Sequence, residues 1–168
     1  MTDLARAEIG TTFNQYSESP LRRARLAAYL ALRVSARILL VGEAAGYRGA
    51  RVSGIPFTSE RLLNGSRPGE ASATLVHDVL AELGREQDVL LWNLVPTHPH
   101  ERGNPDSNRR PTREEVESGR TFLYRLAAGR RIVPIGRLAH AELGGPYVRH
   151  PSRGGGREFR AAVVQLLA

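Results

Sequence analysis

Three short apolar runs constrain this chain more than any other feature: "RILLVG" (Arg37–Gly42), "DVLLWN" (Asp88–Asn93) and "RIVPIG" (Arg131–Gly136). Each is too short for a buried helix and lacks the polar alternation of a half-wet strand, so each reads as a strand buried on both faces. Helical spacing fills the gaps between them. "LRRARLAAYLALRV" (Leu21–Val34) has an apolar stripe and a basic face, with Pro20 at the first turn. "ASATLVHDVLAELG" (Ala71–Gly84) is amphipathic and stopped by Gly84. Thr112 and Glu115 have the spacing of a capping box, opening a helix that closes at Gly129. A short helix over Arg137–Leu143, a brief fourth strand over Tyr147–His150 and a last helix over Arg157–Ala168 complete the reading. Pro134 assigns the third strand an edge or its own end. Strands alternating with helices imply right-handed crossovers and a parallel sheet covered on both faces. The expected fold is α/β, a three-layer α/β/α sandwich around a short, mainly parallel four-stranded sheet. With neither a linker nor an internal repeat in 168 residues, one domain over 1–168 is expected.

Composition narrows the function classes. A net charge of +7 points to an anionic partner, nucleic acid ahead of an acidic membrane. All 24 basic residues are arginine, which grips phosphate bidentately and stacks on bases. An arginine-biased genome accounts equally well for the missing lysines, and the charge stands either way. The absence of cysteine excludes disulfides, thiolate nucleophiles and cysteine-ligated zinc or iron–sulfur clusters. No apolar run approaches the ~20 residues of a membrane span. "MTDLARAEIG" lacks a signal-peptide core, so a cytoplasmic protein without membrane contact is expected.

Open α/β sheets bind ligands beyond the carboxyl ends of their strands. The segments leaving the four strands are "GEAAGYRGARVSGIPFTSER", "NLVPTHPHERGNPDSNRRPT", "GRLAH" and "HPSRGGG". The first two are long for α/β connections, and all four carry polar or glycine-rich chemistry to one edge. Singly these residues are unremarkable. Gly42-Glu43-Ala44-Ala45-Gly46 lacks the dinucleotide and P-loop spacings. Phe57 alone reads as core, Asn93 as a turn tie and His150 as structural. His98 and His100 lack the cysteine or carboxylate companions of a metal site, so no metal is expected. Together, however, Phe57, Asn93 and His150 supply what a nucleobase requires: an aromatic face, an amide for its Watson–Crick edge and a donor where charge develops. Arg48, Arg51, Arg109, Arg110, Arg149, Arg153 and Arg157 form a candidate phosphate-facing set.

"LLVGEAAGYRGARVSGIPFTSE", "VLLWNLVP", "SNRRPTREEV" and "RHPS", in this order and spacing, resemble the uracil-DNA glycosylase superfamily, closest to its iron–sulfur-containing bacterial and archaeal branch. The resemblance runs from about Ile38 to the C-terminus. It implies a monofunctional enzyme that flips uracil out of single- or double-stranded DNA and hydrolyses its N-glycosidic bond. Such an enzyme initiates base-excision repair as a monomer, without cofactor. In this resemblance Gly42, Glu43 and Ala44 line the water and base side of the pocket. Phe57 stacks on the base, Asn93 reads O4 and N3–H, and His150 meets the charge developing at O2. Ser152, Arg153, Gly154 and Arg157 grip DNA, with Arg153 in the slot where related enzymes carry an apolar wedge; a flexible connector is the alternative reading of that glycine stretch. The chain departs from the branch by lacking the cluster cysteines, so packing or the loop from Thr97 to Pro111 has to replace the cluster's structural role. Ala44 stands where other branches carry a water-activating aspartate, leaving Glu43 as the candidate base. Tyr47 lies one residue after the position of the tyrosine that bars the thymine methyl group; it either performs that exclusion or covers the loop. The alternatives are a glycosylase for another deaminated base, such as hypoxanthine, and a catalytically silent DNA- or abasic-site-binding protein.

Overall fold

The computed structural model describes residues 2–167. Its sheet has three parallel strands, β1 (Ile38–Ala44), β2 (Val89–Val95) and β3 (Arg131–Pro134), in the order β2-β1-β3. Leu40 lies opposite Leu91 and Val133, and every residue of β2 is buried, as an apolar run without alternation requires. The expected fourth strand shrinks to one parallel bridge between Ile135 and Val148. The Gly136 N–H donates to the Val148 carbonyl (2.7 Å) and the Val148 N–H to the Pro134 carbonyl (3.3 Å). The reason is local. β3 ends at Pro134, Pro146 has no N–H to give, and the flanking Tyr147 is exposed.

Eight helices surround the sheet among the described residues: α1 (Thr2–Arg6), α2 (Pro20–Leu32), α3 (Ala50–Ser53), α4 (Glu60–Asn64), α5 (Ala71–Glu82), α6 (Arg113–Ala127), α7 (Arg137–Leu143) and α8 (Gly156–Leu167). The expected last helix thus begins one residue early, and Ala168 lies outside the described residues. The chain steps from β1 to β2 in one direction and from β2 to β3 in the other. Right-handed crossovers therefore put α5 and α6 on opposite faces, and α8 packs beside α5. Ser19 caps α2 by accepting from the Arg22 N–H, and the Thr112–Glu115 capping box closes the front of α6.

The segment 97–111 has no regular structure but is tied down along its length. Phe13 and His98 exchange backbone hydrogen bonds (2.8 and 2.9 Å). The His98 ring, fully buried, reaches the Ala45 carbonyl with Nδ1 (2.7 Å) and the Pro105 carbonyl with Nε2 (3.1 Å). Arg109 forks onto Glu115, whose carboxylate is 1% exposed and also accepts from the Thr112 N–H. Arg51 grips Asp106 from the far side. These contacts hold the carboxyl edge of the sheet together in a chain that has no thiolate to do so.

Candidate active site

The site is built on the register of the sheet. Gly42 on β1 and Asn93 on β2 are paired neighbours at the strands' carboxyl ends. Phe57, nine-tenths buried, reaches them from the turn after α3 with a left-handed backbone (φ 51°), an uncommon conformation for an aromatic residue. A β-carbon on Gly42 would overlap the tip of the Phe57 ring and stand 2.9 Å from Asn93 Oδ1. The missing side chain is what lets ring and amide meet. Asn93 is only 3% exposed, and its side-chain amide has no hydrogen-bond partner among the described residues. The amide's polar atoms are not sealed from solvent, so its donor and acceptor stay open to a ligand.

His150 approaches from the segment between the Val148 bridge and α8, its ring centroid 6.3 Å from that of Phe57 and inclined by 32°. The Ser152 N–H donates to His150 Nδ1 (3.1 Å), and the Ser152 hydroxyl lies 2.8 Å from the same nitrogen. Because Nδ1 accepts, the neutral ring carries its proton on Nε2. Burial holds the imidazole below its ordinary range and so favours that neutral form. Glu43 stands at the cleft wall. Burial pushes its carboxyl up, while the charges of Arg110 and Arg153 pull it down.

Beside His150 and Glu43 opens a cleft of about 690 Å³, lined in part by Glu43, Ala44, Gly46, Glu70, His150 and Arg153. Arg110, Arg137 and Arg149 add positive charge to its walls. A second hollow of about 530 Å³, between α1 and α2, contains no residue from the sheet's carboxyl edge. Of the expected site residues, Gly42, Phe57 and Asn93 meet one another, His150 faces the Phe57 ring, and Glu43, Ala44, His150, Ser152 and Arg153 line the cleft. Arg157 is exposed on the first turn of α8. Gly154 adopts a left-handed turn (φ 77°) beside Arg153, itself left-handed at φ 52°. Gly155 is needed for close approach, since a β-carbon there would strike the His150 carbonyl and come within 2.7 Å of Arg149 Nε. Tyr47 lies outside the lining, its ring beneath the Arg48 guanidinium (5.1 Å) and its N–H held by Asn108 (3.1 Å). Two of the candidate phosphate-facing arginines are occupied internally, Arg51 by Asp106 and Arg109 by Glu115. No group of three or more potential metal-ligating histidine or carboxylate side chains occurs among the described residues. Arg137 and Glu70 are cleft residues that sequence reasoning missed, Glu70 because an acid just ahead of a helix normally serves the helix.

Fold and site together define an α/β protein with an arginine-lined cleft at the carboxyl edge of its sheet. A model of the uracil DNA glycosylase superfamily matches residues 31–165, and the chain belongs to that superfamily. Its members are DNA glycosylases, N-glycosyl hydrolases acting on DNA, and that is the class of this protein. The fold is shared with 19 solved chains. Among them is wild-type SMUG2 of Pedobacter heparinus, 13% identical with a TM-score of 0.70, over 98% of this chain and 95% of that one. Comparison with curated proteins gives no match.

Proposed function

We propose that the protein is a monofunctional uracil-DNA glycosylase that takes the flipped nucleotide into this cleft. The observation carrying the reading is the amide of Asn93, without a partner in the protein, beside the Phe57 ring that the His150 imidazole faces. An amide offers uracil a donor for O4 and an acceptor for N3–H, whereas cytosine presents the reverse pattern. Phe57 supplies the stacking face and His150 Nε2–H the donor for O2.

The chemistry follows from those positions. As the bond between C1′ and N1 breaks, its electron pair departs with the base and spreads onto O2, opposite the imidazole proton. A fixed donor aimed at developing charge is worth about 2.7–4 kcal/mol in a site screened from water. Water adds to C1′ and releases a proton, for which Glu43 is the available acceptor because Ala44 has no ionisable group. The burial that raises Glu43 improves it as a proton acceptor, while Arg110 and Arg153 keep it ionised. Arg149 and Arg153 at the cleft, Ser152, and the amino end of α8 are suited to the phosphates flanking the extruded nucleotide.

The test uses labelled oligonucleotides, single- and double-stranded, carrying U, hypoxanthine or T, with alkaline cleavage of any abasic product. Excision of uracil above the other bases is expected. Tight DNA binding without cleavage of any substrate would instead identify a silent binding protein.

A further inference from the structure

The Glu70 carboxylate lies in the cleft and takes no part in the mechanism above. It comes from the residue preceding α5, yet its oxygens lie against the turn leaving β1. A β-carbon on Gly46 would stand 2.7 Å from Glu70 Oε1, and one on Gly49 would overlap Oε2. One carboxylate thus fills the space that two absent side chains leave open. It makes no ion pair among the described residues, although arginines stand elsewhere along the same cleft. Its one partner in the fold is Ser72 on the first turn of α5.

The position has a definite meaning once a pyrimidine is seated, a placement that rests on the proposed function. With O2 at His150 and the N3–O4 edge at Asn93, the C5 edge remains, and the turn from Gly46 to Gly49 is the wall left to meet it. Tyr47 does not occupy that wall, since its ring lies under Arg48. We propose that Glu70 is the specificity-determining residue that bars the thymine methyl group, its carboxylate standing in for a side chain at position 46. Uracil presents only C5–H there, and a polarised C–H can approach a carboxylate oxygen at van der Waals distance. A methyl group would have to displace the carboxylate or strip its solvation without offering it a hydrogen bond. Burial raises the Glu70 carboxyl, with Ser72 alone opposing. The block is steric and acts in either protonation state.

Single-turnover excision from duplexes carrying U or T opposite G tests this, using wild type, Glu70→Gln, Glu70→Asp and Glu70→Ala. The isosteric Glu70→Gln should keep the wild-type uracil preference. Glu70→Ala should lower the uracil-over-thymine rate ratio by about 10–200-fold, the range that one carbon commands in a fitted pocket. Glu70→Asp, retracted by one methylene, should fall between them. Active Glu70→Ala with the wild-type ratio overturns the proposal, as does a Glu70→Gln that loses discrimination as fully as Glu70→Ala. If Glu70→Ala is too damaged to turn over, Glu70→Asp carries the decision: an unchanged ratio there is equally fatal. A wild-type protein that excises no uracil overturns the parent reading itself, whereas an active wild type with indifferent Glu70 variants overturns this proposal alone.

Discussion

Replacing Asn93 by leucine separates a residue kept for a substrate from one kept for the fold. The two side chains have nearly the same shape, so the exchange removes the amide and leaves the packing around Gly42 and Phe57 filled. Two separable effects result. Excision loses the groups that read the base, and removing one positioned donor costs about 10²–10³ in rate, or about 2.7–4 kcal/mol. Stability should stay close to wild type, because the amide's polar atoms keep their access to solvent and make no hydrogen bond within the protein. With a urea dependence of about 2 kcal/mol per molar, the unfolding midpoint should move by less than roughly 0.5 M. Single-turnover excision and urea unfolding monitored by the fluorescence of Trp92, the chain's one tryptophan, read the two effects on the same preparation. Asn93→Leu that excises uracil within tenfold of wild type refutes the assignment of the amide. A midpoint that falls by more than about 1 M would assign Asn93 to the fold rather than to a substrate.

Three further outcomes are expected. Arg109→Met leaves the Glu115 carboxylate buried without its fork, and breaking such a pair costs about 3–5 kcal/mol; urea unfolding should show that loss, and a cost below 1 kcal/mol would mean that segment 97–111 is held by its other ties. Burial holds His77, His98 and His150 below the ordinary imidazole range, so the unfolded chain binds more protons than the folded one just below pH ~6.5. Stability should therefore fall as pH drops through that window, with a smaller slope in His150→Gln; a urea midpoint that rises on acidification contradicts this sign. Arg153→Ala should slow excision from duplexes at least ~10-fold more than from single strands, since only the duplex must be unstacked, and equal effects on both would remove Arg153 from base extrusion.

What could be read from the sequence was decided by length and by partners. The three apolar runs became parallel strands, as expected, because each is buried on both faces and nothing else could satisfy its backbone. The fourth did not, since "YVRH" had to pair with a strand that stops at Pro134 and could offer only Ile135. Helices α3 and α4, with four and five residues, are shorter than any readable period and fell inside what looked like loop. Much of the site was legible because Gly42 and Asn93 sit at paired strand ends and His150 lies just past the Val148 bridge, where topology brings them to one edge. Glu70 was not. Its placement depends on a side chain reaching glycines more than twenty residues earlier, which no spacing rule encodes.

The arginine-only composition acquires a structural reason from the same contacts. Arg130 donates to the carbonyls of Ala36, Leu126 and Val34, tying the ends of α2 and α6 to one guanidinium. Arg109 spans Glu115, the His100 carbonyl and Thr11 in the same manner. A lysine has three donors on one rotating nitrogen and cannot span such divergent acceptors. These side chains are fixed to the fold before any DNA arrives, and the carboxylates that pair some of them are already subtracted in the net +7. The positive charge along the cleft comes from Arg110, Arg137, Arg149 and Arg153, of which Arg110 and Arg153 support the ionisation of Glu43. Phosphates that neutralise Arg110 and Arg153 would withdraw that support as the base enters. Glu43 would then meet the released proton in a drier and less positive setting than in the free protein, which makes it a stronger base at the step that needs one.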